Sequence, residues 1–222
     1  MTIRCGKPPR FASAPRLRYD PAMVTAEHAL QRLKDGNRRF ASDVGSDTVH
    51  HKRRVELTQG QEPFAIVLGC SDSRVPAEIV FDQGLGDLFV IRVAGNVVAP
   101  SGIGSVEFAA ERFGTRLVVV LDHSQCGAVL ATLEQLRRPG ERHSRNLRSI
   151  VDRVRPAVEG LFATELRHDW NELVRQAVRA NIRASVNHLC HGSEILEQLT
   201  RDGLMIVGAE YSLETGLVEF LS

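Results

Sequence analysis

Short apolar runs, set off by glycine or proline, punctuate this chain. Phe64-Ala65-Ile66-Val67-Leu68 lies between Pro63 and Gly69, and Leu88-Phe89-Val90-Ile91-Arg92-Val93 and Leu117-Val118-Val119-Val120-Leu121 follow it. Runs of this length, rich in branched residues and without alternation, read as strands buried on both faces. Leu204-Met205-Ile206-Val207 is a fourth, whereas Val218-Glu219-Phe220-Leu221 alternates and reads as an edge strand after the turn at Thr215-Gly216. Helical spacing fills the intervals. Thr25 stands in N-cap position before Ala29, Leu30, Leu33 and Phe40. Ile103, Val106, Ala110 and Phe113 recur at helical spacing and stop at Gly114. A long helical region runs from about Arg145 to Arg201, and the polar stretch Ser42 to Gln61 reads as a link to the first strand.

Strands alternating with helices predict an α/β fold: a mostly parallel β-sheet flanked by helices, with an N-terminal helical arm and a C-terminal edge strand. Residues 25–222 are read as one α/β domain, and residues 1–24, with Pro8, Pro9, Pro15 and Pro21, as an extended, mobile arm. Sites in such sheets gather at the carboxyl ends of the strands, near a switch point in strand order. Cys70 lies two residues past the first predicted strand and His123 two past the third, which puts both on one sheet edge.

Composition narrows the function without choosing it. A chain of 222 residues with 43% hydrophobic and 25% charged residues fits one ordinary globular domain. A net charge of +1 makes no electrostatic case for nucleic acid or an anionic membrane surface. Arginine supplies 25 of the 28 basic residues, scattered along the helices rather than clustered. No apolar run approaches the roughly 18 residues that span a bilayer, and the N-terminus lacks the apolar core of a secretory signal. A cytoplasmic protein is therefore expected. There, cysteines more often hold metal or do chemistry than form disulfides.

Of Cys5, Cys70, Cys126 and Cys190, the middle two stand out. Either alone is as well read as a buried core thiol. Together with His123, at two strand ends, they form a candidate zinc site of two sulfurs and one imidazole. Three protein ligands leave a fourth position for water, the arrangement of a catalytic centre. Asp72 and Arg74 follow Cys70 closely. They read either as a surface ion pair worth ~0–1 kcal/mol or as working groups. In the second case Arg74 keeps Asp72 ionised to orient the attacking water, or Asp72 swings in as a fourth ligand. Cys190-His191, Trp170 and Tyr211 are read as packing, Cys5 as incidental, and His50-His51 as a solvated loop.

The Cys-x-Asp-Ser-Arg and His-x-x-Cys-Gly elements, in this order and separation, resemble those of the β-class carbonic anhydrases. The similarity runs through Cys70-Ser-Asp-Ser-Arg-Val-Pro-Ala-Glu78, Asp82-Gln83-Gly84, Asp87 to Asn96, Gly102 to Glu107 and Gly208 to Gly216, covering about residues 25 to 221. It implies that Cys70, His123 and Cys126 bind one Zn²⁺ per chain and that Asp72 and Arg74 are the catalytic dyad. It further implies, with a one-residue shift, that Gln83 hydrogen-bonds substrate, and that the Gly127 backbone lies against the reacting oxygen. The implied reaction is reversible hydration of CO₂ to bicarbonate. The implied assembly is a homodimer or dimer-based tetramer with the active site at the interface, Gln83 coming from the partner chain. A hydrolase of carbonyl sulfide or carbon disulfide, or a non-catalytic zinc-stabilised binding protein, are the rival readings. Two residues depart from the family pattern. Asp122 replaces the glycine usual before the histidine, as a harmless strand-end residue or as a perturbation of the local field. Val67 stands where bicarbonate-inhibited members carry tryptophan.

Overall fold

The computed structural model describes residues 24–44, 51–138 and 144–221. Expectations for the N-terminal arm, Cys5 and His50 fall outside those residues. Five strands, β1 (Ala65–Gly69), β2 (Leu88–Arg92), β3 (Leu117–His123), β4 (Met205–Tyr211) and β5 (Val218–Leu221), form one sheet. Their order is β2-β1-β3-β4-β5, parallel except for β5, which pairs antiparallel with β4 at the edge. β1 and β3 are buried at every position, as their unbroken apolar runs require.

Helices cover both faces. Ile66, Leu68, Val118 and Val120 point to one side, where α4 (Pro100–Phe113), α5 (Gly127–Arg137), α6 (Arg145–Phe162), α7 (Trp170–His191) and α8 (Glu194–Arg201) supply the opposing core. Ala65, Val67, Leu117, Val119 and Leu121 face the other side, against α1 (Ala26–Ala41) and α3 (Ala77–Val80). Burying each large side chain of this kind is worth about 1.5–3 kcal/mol, so the two apolar layers outweigh any exposed ion pair.

α1 starts where Thr25 accepts a hydrogen bond from the His28 N–H at 3.3 Å. It packs so closely that a Cβ on Gly36 would lie 1.9 Å from the Phe81 carbonyl oxygen. Asn37 ties this helix to the sheet edge, donating to the carbonyls of Val80 at 3.1 Å and Gly216 at 2.9 Å and accepting from Val218 N at 2.8 Å.

The sequence reading needs correction at several ends. β3 continues through Asp122 and His123, and β4 through Tyr211, because buried polar residues extend both beyond their apolar runs. Cys70 is one residue past β1, not two. The polar link contains α2 (His51–Glu56) and a tight turn at Leu57–Gln59. The long helical region is three helices, with a single turn at Glu165–His168 between the first two. Among the described residues no helix is long and apolar enough to cross a membrane.

Candidate metal centre

β1 has β2 on one side and β3 on the other, so the chain reverses direction across the sheet at β1 and opens a crevice at the strand ends. Gly69 pairs with Leu121, and the Cys70 N–H donates to the Leu121 carbonyl at 3.3 Å. Cys70 therefore leaves β1 alongside Asp122 and His123. After His123, Ser124 is anchored to β4: its N–H donates to the Tyr211 carbonyl at 2.9 Å and its Oγ accepts from Leu213 N at 3.0 Å. Gln125 then turns left-handed at φ 59°, a conformation that disfavours a non-glycine residue by on the order of 1 kcal/mol or more. That turn brings Cys126 back to the crevice as the N-cap of α5.

The donor atoms converge. Cys70 Sγ and Cys126 Sγ are 4.0 Å apart, too far for a disulfide and close to the ~3.8 Å edge of a tetrahedron with Zn–S bonds of ~2.3 Å. His123 Nδ1 lies 2.9 Å from the Ser124 carbonyl oxygen. A carbonyl only accepts, so Nδ1 carries a proton, and in the neutral ring a metal ligand needs, Nε2 carries the lone pair. That Nε2 is buried and has no hydrogen-bond partner, a costly state unless a cation takes the lone pair. One ligand atom from each of Cys70, Asp122, His123 and Cys126 lies within 4.8 Å of the others. The Cys70 thiol is held below its ordinary range, first by the Cys126 S–H beside it, against the opposing effect of burial. His123 and the Gly95 N–H, 3.4 Å from the sulfur, add to this. Two soft sulfurs and one imidazole with a free nitrogen fit zinc.

Asp72 stands at the mouth of the crevice. Its Oδ1 accepts from Arg74 Nε at 2.9 Å and Arg74 N at 3.0 Å, and its Oδ2 from Arg74 Nη2 at 2.8 Å. This bidentate grip holds the carboxyl well below the usual carboxylate range. Asp72 Oδ2 is 3.7 Å from His123 Nε2, so the ionised oxygen lies beside that nitrogen while remaining paired with Arg74. Arg92, at the end of β2, pins the same loop by donating to the carbonyls of Cys70 at 3.1 Å and Asp72 at 2.5 Å. Its part was not visible in the sequence, because both bonds go to backbone.

Gly127 opens α5, and a Cβ there would meet nothing within 4 Å, which leaves its backbone accessible. Gln83 is engaged elsewhere in its own chain: it is buried, and its Nε2 donates to the Phe81 carbonyl at 2.7 Å beneath Gly36. Cys190 sits near the end of α7, apart from the other thiols' cluster, and burial pushes it up. Val67 is buried in the core layer on the α1 side.

Asp122 is no bystander at a strand end. It is wholly buried, which pushes its carboxyl up to about 6. Its Oδ1 accepts from His123 N at 3.0 Å, and its Oδ2 from Asn181 Nδ2 at 3.2 Å. With the amide of Asn96 turned to satisfy both its ends, that side chain donates to Asp122 Oδ2 and to the Gly95 carbonyl, each at 2.8 Å. Sequence reasoning missed Asn96 and Asn181. The one available signal was a polar residue among the apolar positions of α7.

Gly95 is the tightest joint of the centre. Its φ is 65°, and a Cβ there would lie 2.7 Å from the Ala128 Cβ. Gly95→Ala is expected to lower stability by roughly 1–3 kcal/mol through strain and overpacking, a fall of about 2–4 °C per kcal/mol for a chain of this size. Thermal melting checks it, and adding Ala128→Gly should restore part of the loss. An unchanged melting temperature would contradict the contact.

Comparison with known proteins agrees with this geometry. The carbonic anhydrase family model matches residues 65–218. A carbonic anhydrase of Mycolicibacterium smegmatis is 43% identical over 200 residues, spanning 87% of this chain and 92% of that protein. Carbonic anhydrase 2 of Mycobacterium tuberculosis is 40% identical over 192 residues, 85% of this chain and 89% of its own. Among solved structures, a tetrameric β-carbonic anhydrase from Sordaria macrospora superposes with a TM-score of 0.68 at 26% identity, covering 76% of this chain and 85% of that one. Converging thiols, a bare imidazole nitrogen and these matches lead to one conclusion: the chain belongs to the carbonic anhydrase family, in its β class.

Proposed function

We propose that the protein hydrates carbon dioxide reversibly to bicarbonate and a proton, using one zinc ion held by Cys70, His123 and Cys126. The observation that carries this reading is the bare His123 Nε2 within 4.8 Å of two sulfurs, with an ionised carboxylate oxygen 3.7 Å away. When bound, the ion supplies Lewis-acid activation of a water molecule. Asp72 does the orienting. Locked to Arg74 and ionised, it only accepts hydrogen bonds, so an attacking water must point a hydrogen at Asp72 and a lone pair elsewhere, toward substrate. The N-terminus of α5, opening at Gly127, favours negative charge developing on the substrate oxygens. The proton released goes to solvent buffer.

Gln83 acts from a partner chain in this reading, which makes the working form a homodimer or dimer-based tetramer. Exposed Ile79 and Leu85, four residues before and two after Gln83, support a covered apolar face there. A purely structural zinc site has no need of the Asp72–Arg74 pair, which argues against a non-catalytic role.

Stopped-flow CO₂ hydration with a pH indicator, run alongside zinc analysis, tests the reading. One zinc per chain and turnover well above buffer, at neutral to mildly alkaline pH, are expected. Zinc-loaded protein no faster than buffer would sink it.

A further inference from the structure

Asp122 is a wholly buried carboxylate with three N–H donors around it: His123 N, Asn181 Nδ2 and the Asn96 amide. All three donate, as an ionised carboxylate requires. Yet the donors are neutral. Among the described residues its ion-pair partner is His123 alone, whose Nε2 is 4.0 Å from Oδ1. That ring donates from Nδ1 to Ser124, so Nε2 is the ring atom turned toward Asp122. A carboxylate buried beside two thiols is costly unless a cation is held against it. The geometry supplies the place for one: an Asp122 oxygen lies with the donor atoms of Cys70, His123 and Cys126, all within 4.8 Å of one another. Asp72, by contrast, is neutralised by Arg74 at the mouth.

We propose that Asp122 is a fourth member of the metal-holding set: its carboxylate, locked by Asn96 and Asn181, faces the ion from the core side and tightens the protein's hold on it. The inference rests on the zinc reading above and deepens it. Two thiolates alone balance a divalent ion, and Asp122 adds a third negative charge in a low-dielectric interior, where attraction falls off little. Asn96 and Asn181 act as positioning residues, since they fix the carboxylate without touching the ion. This chain is thereby predicted to retain zinc against chelators better than a variant with the glycine usual at this position.

The test is zinc competition against a chromophoric chelator, on the full chain, for wild type, Asp122→Asn, Asp122→Gly and Asp72→Asn. Both Asp122 variants are expected to raise the zinc Kd by about 10–100-fold, and Asp72→Asn to change it far less. Cobalt-substituted wild type and Asp122→Gly should also differ in visible absorption, which a merely structural role would not produce. Asp122 variants that fold and hold zinc as tightly as wild type overturn the proposal. Should neither fold, Asn181→Ala decides: a raised Kd supports it and an unchanged Kd overturns it. Wild-type protein that binds no zinc at all would instead dispose of the metal reading itself.

Discussion

Cys126→Ala is expected to strip the centre of its metal. Cys126 is one of three converging donors, fully buried, with its sulfur 4.0 Å from that of Cys70. Alanine offers no lone pair there, and no other described thiol sits close enough to substitute. Losing a direct ligand should exceed the ~10–100-fold typical of an outer-shell partner. Dialysis against a mild chelator, followed by elemental analysis, should find the variant nearly zinc-free and wild type at one ion per chain. Its fold should survive, because removing one small buried sulfur costs about 1 kcal/mol in transfer and packing. The variant should, however, lose the stabilisation by added zinc that wild type shows in thermal melts. Wild-type zinc content after the same dialysis would refute the ligand assignment.

Asp72→Asn is expected to leave the metal in place and remove most of the turnover. Asparagine matches the shape but presents N–H groups where the carboxylate presented lone pairs. Its amide cannot take both Arg74 bonds, at 2.9 and 2.8 Å, as the carboxylate does. The attacking water is then free to turn its lone pair the wrong way. A kcat lower by about 10²–10⁴ is in the range of one positioned proton-handling group, with zinc content unchanged. Stopped-flow rates with paired metal analysis check both halves, and full turnover in a zinc-loaded variant would remove Asp72 from the mechanism. The pH dependence has a definite sign. Because Arg74 depresses the Asp72 pKa, any stability from this pair is present above the ordinary carboxylate range and lost only as pH falls through the depressed value. Asp72 is therefore charged throughout the neutral range, and a pH–rate profile there should contain no step of its own. Arg74 is half exposed, so the pair's worth lies in orientation rather than stability.

Much of this was legible in the chain because β1 and β3 are covered on both faces and announce themselves as apolar runs. Placing Cys70 and His123 at their ends was enough to bring the ligands together. The reading failed where burial and polarity coincide. Asp122, His123 and Glu210 are buried strand residues, and an apolar-run reading stops short of them. Asp122 was visible as an oddity, but its partners Asn96 and Asn181 are supplied by a loop and a helix remote in sequence. No local period reports such a contact. Gln83 was legible only by resemblance, and one chain shows it bonded to its own loop.

The parallel ladder between β1 and β3 has a wider consequence. Cys70 arrives on one strand, and His123 with Cys126 on the other; what aligns them is the pairing of Gly69 with Leu121. That register works as a gauge block for the ion. A slip of one residue would displace a ligand by ~3.3 Å and turn it to the opposite face. Volume changes deep in the sheet, at Leu68 or Val120, are thus transmitted as errors of ligand spacing. Tolerance to substitution in this core should be set less by what the fold can bear than by what a coordination sphere can.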